Sequence, residues 1–199
     1  MTDTYRVRPA VTDDIPAIHD LIGSAAAWLR KYKNTDQWAT PWPNKRDRDA
    51  RVVQGIKDRL TWMVEDGEGL LMGTVTCREH GNDMLWTQTE QAEPAVYVSR
   101  LIVRREQAGQ GIGAALIDWA GMLGINGWRA RWMRVDVWTT NLALHRYYKG
   151  QGFEHLRTLE FADEWDYPSA ALFQKSTADV DPSSAARFKE GVSLAARST

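Results

Sequence analysis

Gln107-Ala108-Gly109-Gln110-Gly111-Ile112-Gly113-Ala114 is the stretch that most limits what this chain can become. Before it, Val96-Tyr97-Val98-Ser99-Arg100-Leu101-Ile102-Val103 is rich in β-branched and aromatic residues, which fit a pleated, half-buried surface and predict a strand. After it, Ile112, Leu116, Trp119 and Leu123 recur with the repeat of an amphipathic helix that buries one stripe. The three glycines therefore stand at a strand-to-helix turn. Without a Cβ their backbone can take positive φ, and its amides can approach a ligand closely. The first amides of a helix lack internal acceptors, and the macrodipole adds partial positive charge there. Such a turn is predicted to cradle phosphate.

The flanking residues narrow the kind of cradle. A P-loop needs a Lys-Ser/Thr pair after its second glycine, but Ala114-Ala115 follows Gly113. A dinucleotide fingerprint needs a third glycine where Leu116 stands. What remains is Gly-x-Gly running directly into a helix, or a glycine-softened helix start with no ligand. Further on, Met133 to Trp138 reads as another strand, followed by a helix for which Asn141 is a good N-cap and Gly150 or Gly152 a good stop. The order is strand, Gly-x-Gly turn, helix, strand, then an Asn-x-x-(small or apolar)-x-x-x-Tyr-x-x-x-Gly-Phe helix filled by Asn141, Leu144, Tyr148, Gly152 and Phe153. In that order the chain resembles the GNAT superfamily of acyl-CoA-dependent N-acetyltransferases.

The resemblance implies a mixed α/β (α+β) fold of about seven mostly antiparallel strands, with a splayed central parallel pair and flanking helices. It implies acetyl-CoA as cosubstrate, its pantetheine arm paired with the strand at Leu101, Ile102 and Val103. Its pyrophosphate would lie on the turn formed by Gln107, Ala108, Gly109, Gln110, Gly111, Ile112, Gly113 and Ala114. Asn141, Leu144 and Tyr148 of the later helix complete the implied cofactor site. The chain departs from the family pattern at Ala108, where an Arg or Gln is usual. Gln107 or Gln110 is a substitute for that side-chain contact, and Arg104, Arg105, Arg146 and Lys149 are further candidates to meet phosphates.

With 199 residues, the chain is long enough to bury a good core as one domain, expected over residues 1–175. A net charge of −1 gives no global basic field, so nucleic acid is not favoured as a partner. The single Cys77 excludes an internal disulfide and reads as a small buried apolar residue. The four histidines lack metal-ligand spacing, so no metal is expected. No window reaches about 18 apolar residues and no signal core opens the chain, which predicts no membrane partner and a cytoplasmic location.

In chain order, Thr4 to Arg8 reads as a first strand and Ile15, Ile18 and Ile22 as one face of a helix capped by Thr12 or Asp14. From Trp28 to Arg48 aromatic and basic residues interleave, with Pro41 and Pro43 preventing a continuous helix. Core plugging, a substrate wall and a nucleic-acid surface are all open for this stretch; the resemblance places the substrate side here. Val52 to Leu60 marks a helix, and Thr61–Glu65 with Leu70–Cys77 a hairpin around Asp66-Gly67-Glu68-Gly69. His80 to Pro94 is long and polar, expected as a mobile lip. Glu154 to Phe161 and Ala170 to Lys175 are the last expected strands. Residues 176–199 read as a tail, disordered or packed on the domain or on a second subunit, which leaves a homodimer open.

The chemistry asks for three groups. A Lys-like amine is neutral in only about one molecule in 2,500 at pH 7, so a general base is useful. Candidates are Asp136, Glu90, Glu93, Asp163 and Glu164. A developing oxyanion needs a donor, by resemblance the backbone of the strand ending in Leu101 to Val103. The leaving thiolate has a basicity like that of Cys, pKa about 8.5, and the resemblance assigns its protonation to Tyr148 as the catalytic residue. Trp28, Trp38, Trp42, Arg100 and Trp165 are the candidate substrate residues. The expected reaction is acetyl transfer from acetyl-CoA to a primary amine, a small molecule ahead of a protein lysine or N-terminus. A non-catalytic acyl-CoA-binding or RNA-binding module on the same fold is the rival.

Overall fold

The structure, a computed structural model, describes residues 4–161 and 167–191. Eight strands among them form one sheet: β1 (Tyr5–Pro9), β2 (Thr61–Glu65), β3 (Leu71–Arg78), β4 (Ala95–Val103), β5 (Trp132–Val137), β6 (Glu154–Thr158), β7 (Ala171–Ser176) and β8 (Phe188–Glu190). Their order is β6-β7-β5-β4-β3-β2-β1-β8. Pairing is antiparallel except for β4 with β5 and β1 with β8. This is the mixed, mostly antiparallel sheet expected from the sequence, with one strand more.

Alternation along the strands divides the core between two faces. On one face, Leu116, Ile117, Trp119 and Ala120 of α4 (Ile112–Trp128) join Val64, Val75, Val96, Val98 and Met133. On the other, Ile18, Leu21 and Ile22 of α1 (Ile15–Lys33) join Val52 and Ile56 of α2 (Lys45–Lys57), Met63 and Ile102. Neighbouring residues such as Met63 and Val64 thus serve opposite cores. The stretch from Trp28 to Arg48 is helical at both ends: α1 runs on to Lys33 and α2 starts at Lys45, with Asn44 accepting from the Asp47 amide as its cap. Only the segment between, with Pro41 and Pro43, is irregular.

β4 carries one residue too many. Thr74 pairs with Ile102 and Thr76 with Ser99, so three steps on β4 oppose two on β3. The surplus is a bulge at which Arg100 takes φ 47°. β4 and β5 pair only at Ala95 with Trp132, Val96 with Met133 and Tyr97 with Arg134. Beyond Tyr97 the two strands part.

Two expectations need correction. His80 to Pro94 is not a free lip, because Leu85 and Trp86 are buried and the short α3 (Gln88–Gln91) is tied to the sheet. Arg134, fully buried, donates to the Glu90 carbonyl, Glu93, Tyr97 Oη and Gln174, while Arg157 grips the Glu90 carboxylate and the Leu85 carbonyl. Of the residues after Lys175, read as a tail either disordered or packed on the domain or on a second subunit, the described ones up to Gly191 end β7 and then form α6 (Pro182–Ala185) and β8 against the domain. Phe188 packs against Tyr5 with ring centroids 5.5 Å apart, and the Tyr5 amide donates to the Arg187 carbonyl at 2.8 Å. A sequence rich in small residues conceals this because the buried apolar positions, Val180, Ala185 and Phe188, are few and widely spaced.

Phe188→Ala removes the largest of these. Loss of a buried Phe typically costs about 3 kcal/mol or more, so thermal unfolding should shift down by several degrees; an unchanged midpoint would make β8 dispensable.

Candidate active site

Where β4 and β5 separate, a cavity of about 440 Å³ opens. The segment between α1 and α2 roofs it with Trp38 and Trp42, α2 adds Arg48 and Arg51, and β3 ends in it with Arg78. β4 contributes Ser99, Arg100 and Leu101, β5 Asp136, and α5 (Leu142–Gly150) Leu144 and Tyr148. Tyr167 and Trp138 complete the wall.

The roof is held by side-chain hydrogen bonds that sequence reading missed. Asp36 accepts from Trp138 Nε1 at 2.8 Å and from Thr140 Oγ1 at 2.9 Å. Asn141 donates to Gln37 Oε1 at 2.6 Å while its carbonyl oxygen accepts the Leu144 amide at 3.0 Å. Asn141 is 2% exposed and both ends of its amide are used, so the structure gives it a capping and roof-pinning place rather than a face on the cavity.

Of the candidate bases, Asp136 is the one that the structure puts in the cavity. Burial raises its pKa to about 6, against the opposing effects of a Tyr167 hydroxyl 3.3 Å away and the nearby cations of Arg78 and Arg100. Glu90 is elsewhere, held at a pKa of about 2 by Arg157, and Glu93 is paired with Arg134. Asp163, Glu164 and Trp165 lie outside the described residues. Tyr148 borders the cavity, and its hydroxyl has no partner among the described residues. Burial pushes its pKa well above that of a free phenol. It remains protonated at any working pH.

Of the candidate substrate residues, Trp38, Trp42 and Arg100 line the cavity; Trp28 does not. Its ring lies under Arg105, 3.7 Å from the guanidinium carbon, at the far end of β4. The Trp42 ring meets Tyr167 edge-on at 4.7 Å, and Arg51 donates to the Trp42 carbonyl.

The glycine turn occupies the other mouth of the split. Gly109 and Gly111 have φ 88° and 71°, and Gly111 caps α4 without a side-chain partner. A Cβ on Gly109 would meet only open space. Among the described residues the amides of Gly109, Gln110 and Gly111 have no backbone acceptor. The fit is that of a phosphate cradle, with free amides at a helix start. Gln107 and Gln110 bond each other at 2.7 Å, while Ile102 and Ile112 bury their side chains and have only their backbone to offer. Arg104, Arg146 and Lys149 are exposed. Leu101 and Val103 are partly buried on the β4 segment that has lost its β5 partner. One cation at the turn is a residue the sequence gave no signal for: Arg187 reaches from between α6 and β8 to donate to the Gln110 carbonyl at 3.3 Å, with its Nη1 3.5 Å from where a Gly111 Cβ would stand. No local pattern links positions so far apart.

Comparison with known proteins agrees with this geometry. A profile described as the Acetyltransferase (GNAT) family matches residues 24–153. The chain is 27% identical over 158 residues to a Bacillus subtilis (strain 168) protein named Uncharacterized N-acetyltransferase YesJ, covering 78% of this chain and 85% of that one. A GNAT-family acetyltransferase structure from Listeria monocytogenes 4b F2365 aligns with a TM-score of 0.66 at 24% identity, over 86% of this chain and 94% of that chain. A chimera of the Vibrio cholerae spermidine N-acetyltransferase SpeG with hSSAT aligns with a TM-score of 0.60 at 16% identity, over 89% and 98%.

Tyr167→Phe removes the hydroxyl that stabilises the Asp136 carboxylate. The Asp136 pKa should then move above about 6, read by carboxyl-carbon NMR titration. A pKa that stays or falls would mean that Tyr167 does not hold the carboxylate.

Proposed function

This chain belongs to the GNAT acetyltransferase family, and from that premise we propose that it moves the acetyl group of acetyl-CoA onto the primary amine of a small molecule, by direct attack with both substrates bound. The observation that carries this reading is the cavity at the β4–β5 split, which is lined by the Asp136 carboxylate, the Tyr148 phenol and the part of β4 that has lost its β5 partner. Its roof of Trp38 and Trp42 encloses a volume in the range of small-ligand pockets, which favours a compact amine over a protein side chain.

Acetyl-CoA supplies an activated thioester carbonyl. The amides from Gly109 to Ala114 and the Arg187 guanidinium hold its pyrophosphate, the latter in place of the side chain that Ala108 lacks. The β4 backbone beyond Tyr97 has lost its β5 partner, so it pairs with the pantetheine arm and offers an amide to the oxygen on which charge develops. As the N–C bond forms the nitrogen becomes acidic, and Asp136, ionised above pH 6, takes its proton. As the C–S bond breaks, negative charge gathers on sulfur. The Tyr148 hydroxyl meets it first as a hydrogen-bond donor, since a phenol is a weaker acid than a thiol and burial weakens this one further. Tyr148 passes its proton to sulfur as the free thiol leaves and recovers one from solvent, to which Asp136 releases the proton taken from nitrogen.

Release of free thiol from acetyl-CoA across an amine panel tests the reading; a folded protein that releases none with any amine would overturn it. Asp136→Asn should lower kcat by about 10² to 10⁴-fold and abolish the acid limb near pH 6. Its stability should move the other way. The folded pKa of Asp136 lies above the unfolded value of about 3.9, so ionisation destabilises the folded state as pH rises through about 6, and the full cost is present at pH 7. Asparagine avoids it, and melting at pH 7 should be unchanged or higher. Tyr148→Phe keeps the ring packing on Phe153 and should change stability by no more than about 1 to 2 kcal/mol. Its kcat should fall by about 10²-fold with little change in acetyl-CoA affinity; a loss confined to KM would reduce Tyr148 to a positioning role.

A further inference from the structure

The acceptor cavity has a charge pattern that the transfer chemistry does not use. Arg78 lines it and has no hydrogen-bond or ion-pair partner among the described residues. Arg100 lines it with only a 3.5 Å contact to the Thr76 hydroxyl. The two guanidiniums converge: Arg100 Nη1 and Arg78 Nη2 lie 3.8 and 3.9 Å from the point where a Cβ on Gly55 would stand. That same Cβ would be 2.8 Å from Thr61 Oγ1, so the glycine keeps α2 close to the sheet above the pair. Mutual repulsion with Arg78 and Arg51 adds to burial in bringing Arg100 down to about 10. Among the described lining residues the one carboxylate is Asp136, which makes no ion pair with either arginine. Two unpaired cations held together in a pocket amount to a preformed seat for an oxyanion.

We infer that the acceptor is a zwitterionic small molecule: an amine that also bears a carboxylate or a comparable oxyanion, which Arg78 and Arg100 bind while the amino group faces Asp136. This rests on the reading of the cavity as the acceptor site and names the class of molecule it takes. The arrangement sets the direction of entry, since the cationic end of the molecule is repelled by Arg78, Arg100 and Arg51 and drawn to Asp136. Trp38, Trp42 and Tyr167 flank the path between the two ends and give an apolar or aromatic body its contacts. A linear polycation has no counterpart for its further charges among the described lining residues, and would meet arginines instead.

Matched amines that differ only in the acid group test this on the wild-type protein: phenylalanine against phenethylamine, the phosphonate analogue of phenylalanine as a second oxyanion, and spermidine. Thiol release from acetyl-CoA should give kcat/KM about 10 to 100-fold higher for the acid-bearing member of each pair, the gain falling mainly on KM. Arg78→Gln should erase most of that preference: loss of the Arg78 charge raises the Asp136 pKa and slows both amines alike, but the acid-bearing amine should lose about 10-fold or more beyond phenethylamine, mainly in KM; Arg100→Lys, which retains charge without the planar fork, should erase part of the preference. Turnover of phenethylamine or spermidine at equal or higher efficiency would overturn the zwitterion assignment while leaving acetyl transfer intact. Calorimetric binding of phenylalanine without any thiol release would instead overturn the transferase reading and leave the oxyanion seat standing.

Discussion

One surplus residue in β4 governs the rest of the molecule. Opposite β3 the strand must absorb three residues against two, and it does so at Arg100, which is forced to φ 47°. The local increase in twist turns the remaining half of β4 away from β5, and parallel pairing stops after Tyr97. A sheet otherwise continuous from β6 to β8 is thereby divided at its middle. The backbone groups exposed by that division are in the interior, flanked by helices on both faces, where water alone does not satisfy them well. The same bulge swings Arg100 into the opening. Strand geometry, ligand site and charge pattern thus follow from one register change.

The parts of this design legible in the sequence are those written in short-range patterns. The glycine turn, the helix that leaves it and the Asn141 cap are each specified within a few residues, and each is where the spacing puts it. Tyr148 stands in the motif that carries the resemblance and borders the cavity, whereas Asp136 was one of five carboxylates between which no short-range pattern could choose. What escaped depends on contacts between distant positions. Nothing in the strand pattern of Met133 to Trp138 singles out Arg134, yet it is fully buried because Glu90, Glu93, Tyr97 and Gln174 converge on it from three segments. That convergence converts a polar stretch with the composition of a loop into an anchored wall. Arg187 is a second case, brought to the glycine turn by β8 pairing with β1 across nearly the whole chain.

The cavity also places binding and stability in opposition. Asp136 is buried enough to resist ionisation, Arg100 enough to be partly disfavoured as a cation, and neither has the partner that a purely structural charge would be given. Elsewhere this protein pairs its buried charges closely, as at Glu65 with Arg6 and Arg8, or Arg8 with Asp14. The contrast within one chain separates charges that hold the fold from charges held ready by it.

Sheet order has a consequence for how the protein can be divided. The stretch recognisable as its family, residues 24–153, is continuous in sequence but not in the sheet. β7, which lies outside that stretch, is inserted between β5 and β6 and supplies the ladder along all of β5 from Trp132 to Val137. β1, also outside, is the antiparallel neighbour of β2. A fragment trimmed to those limits would therefore bare two sheet edges at once, one of them on β5, the strand that carries Asp136. An exposed edge of that kind recruits a second copy of itself more readily than it folds alone. The limits of the profile match are thus not the limits of a physical unit; among the described residues the sheet reaches from Tyr5 to Glu190.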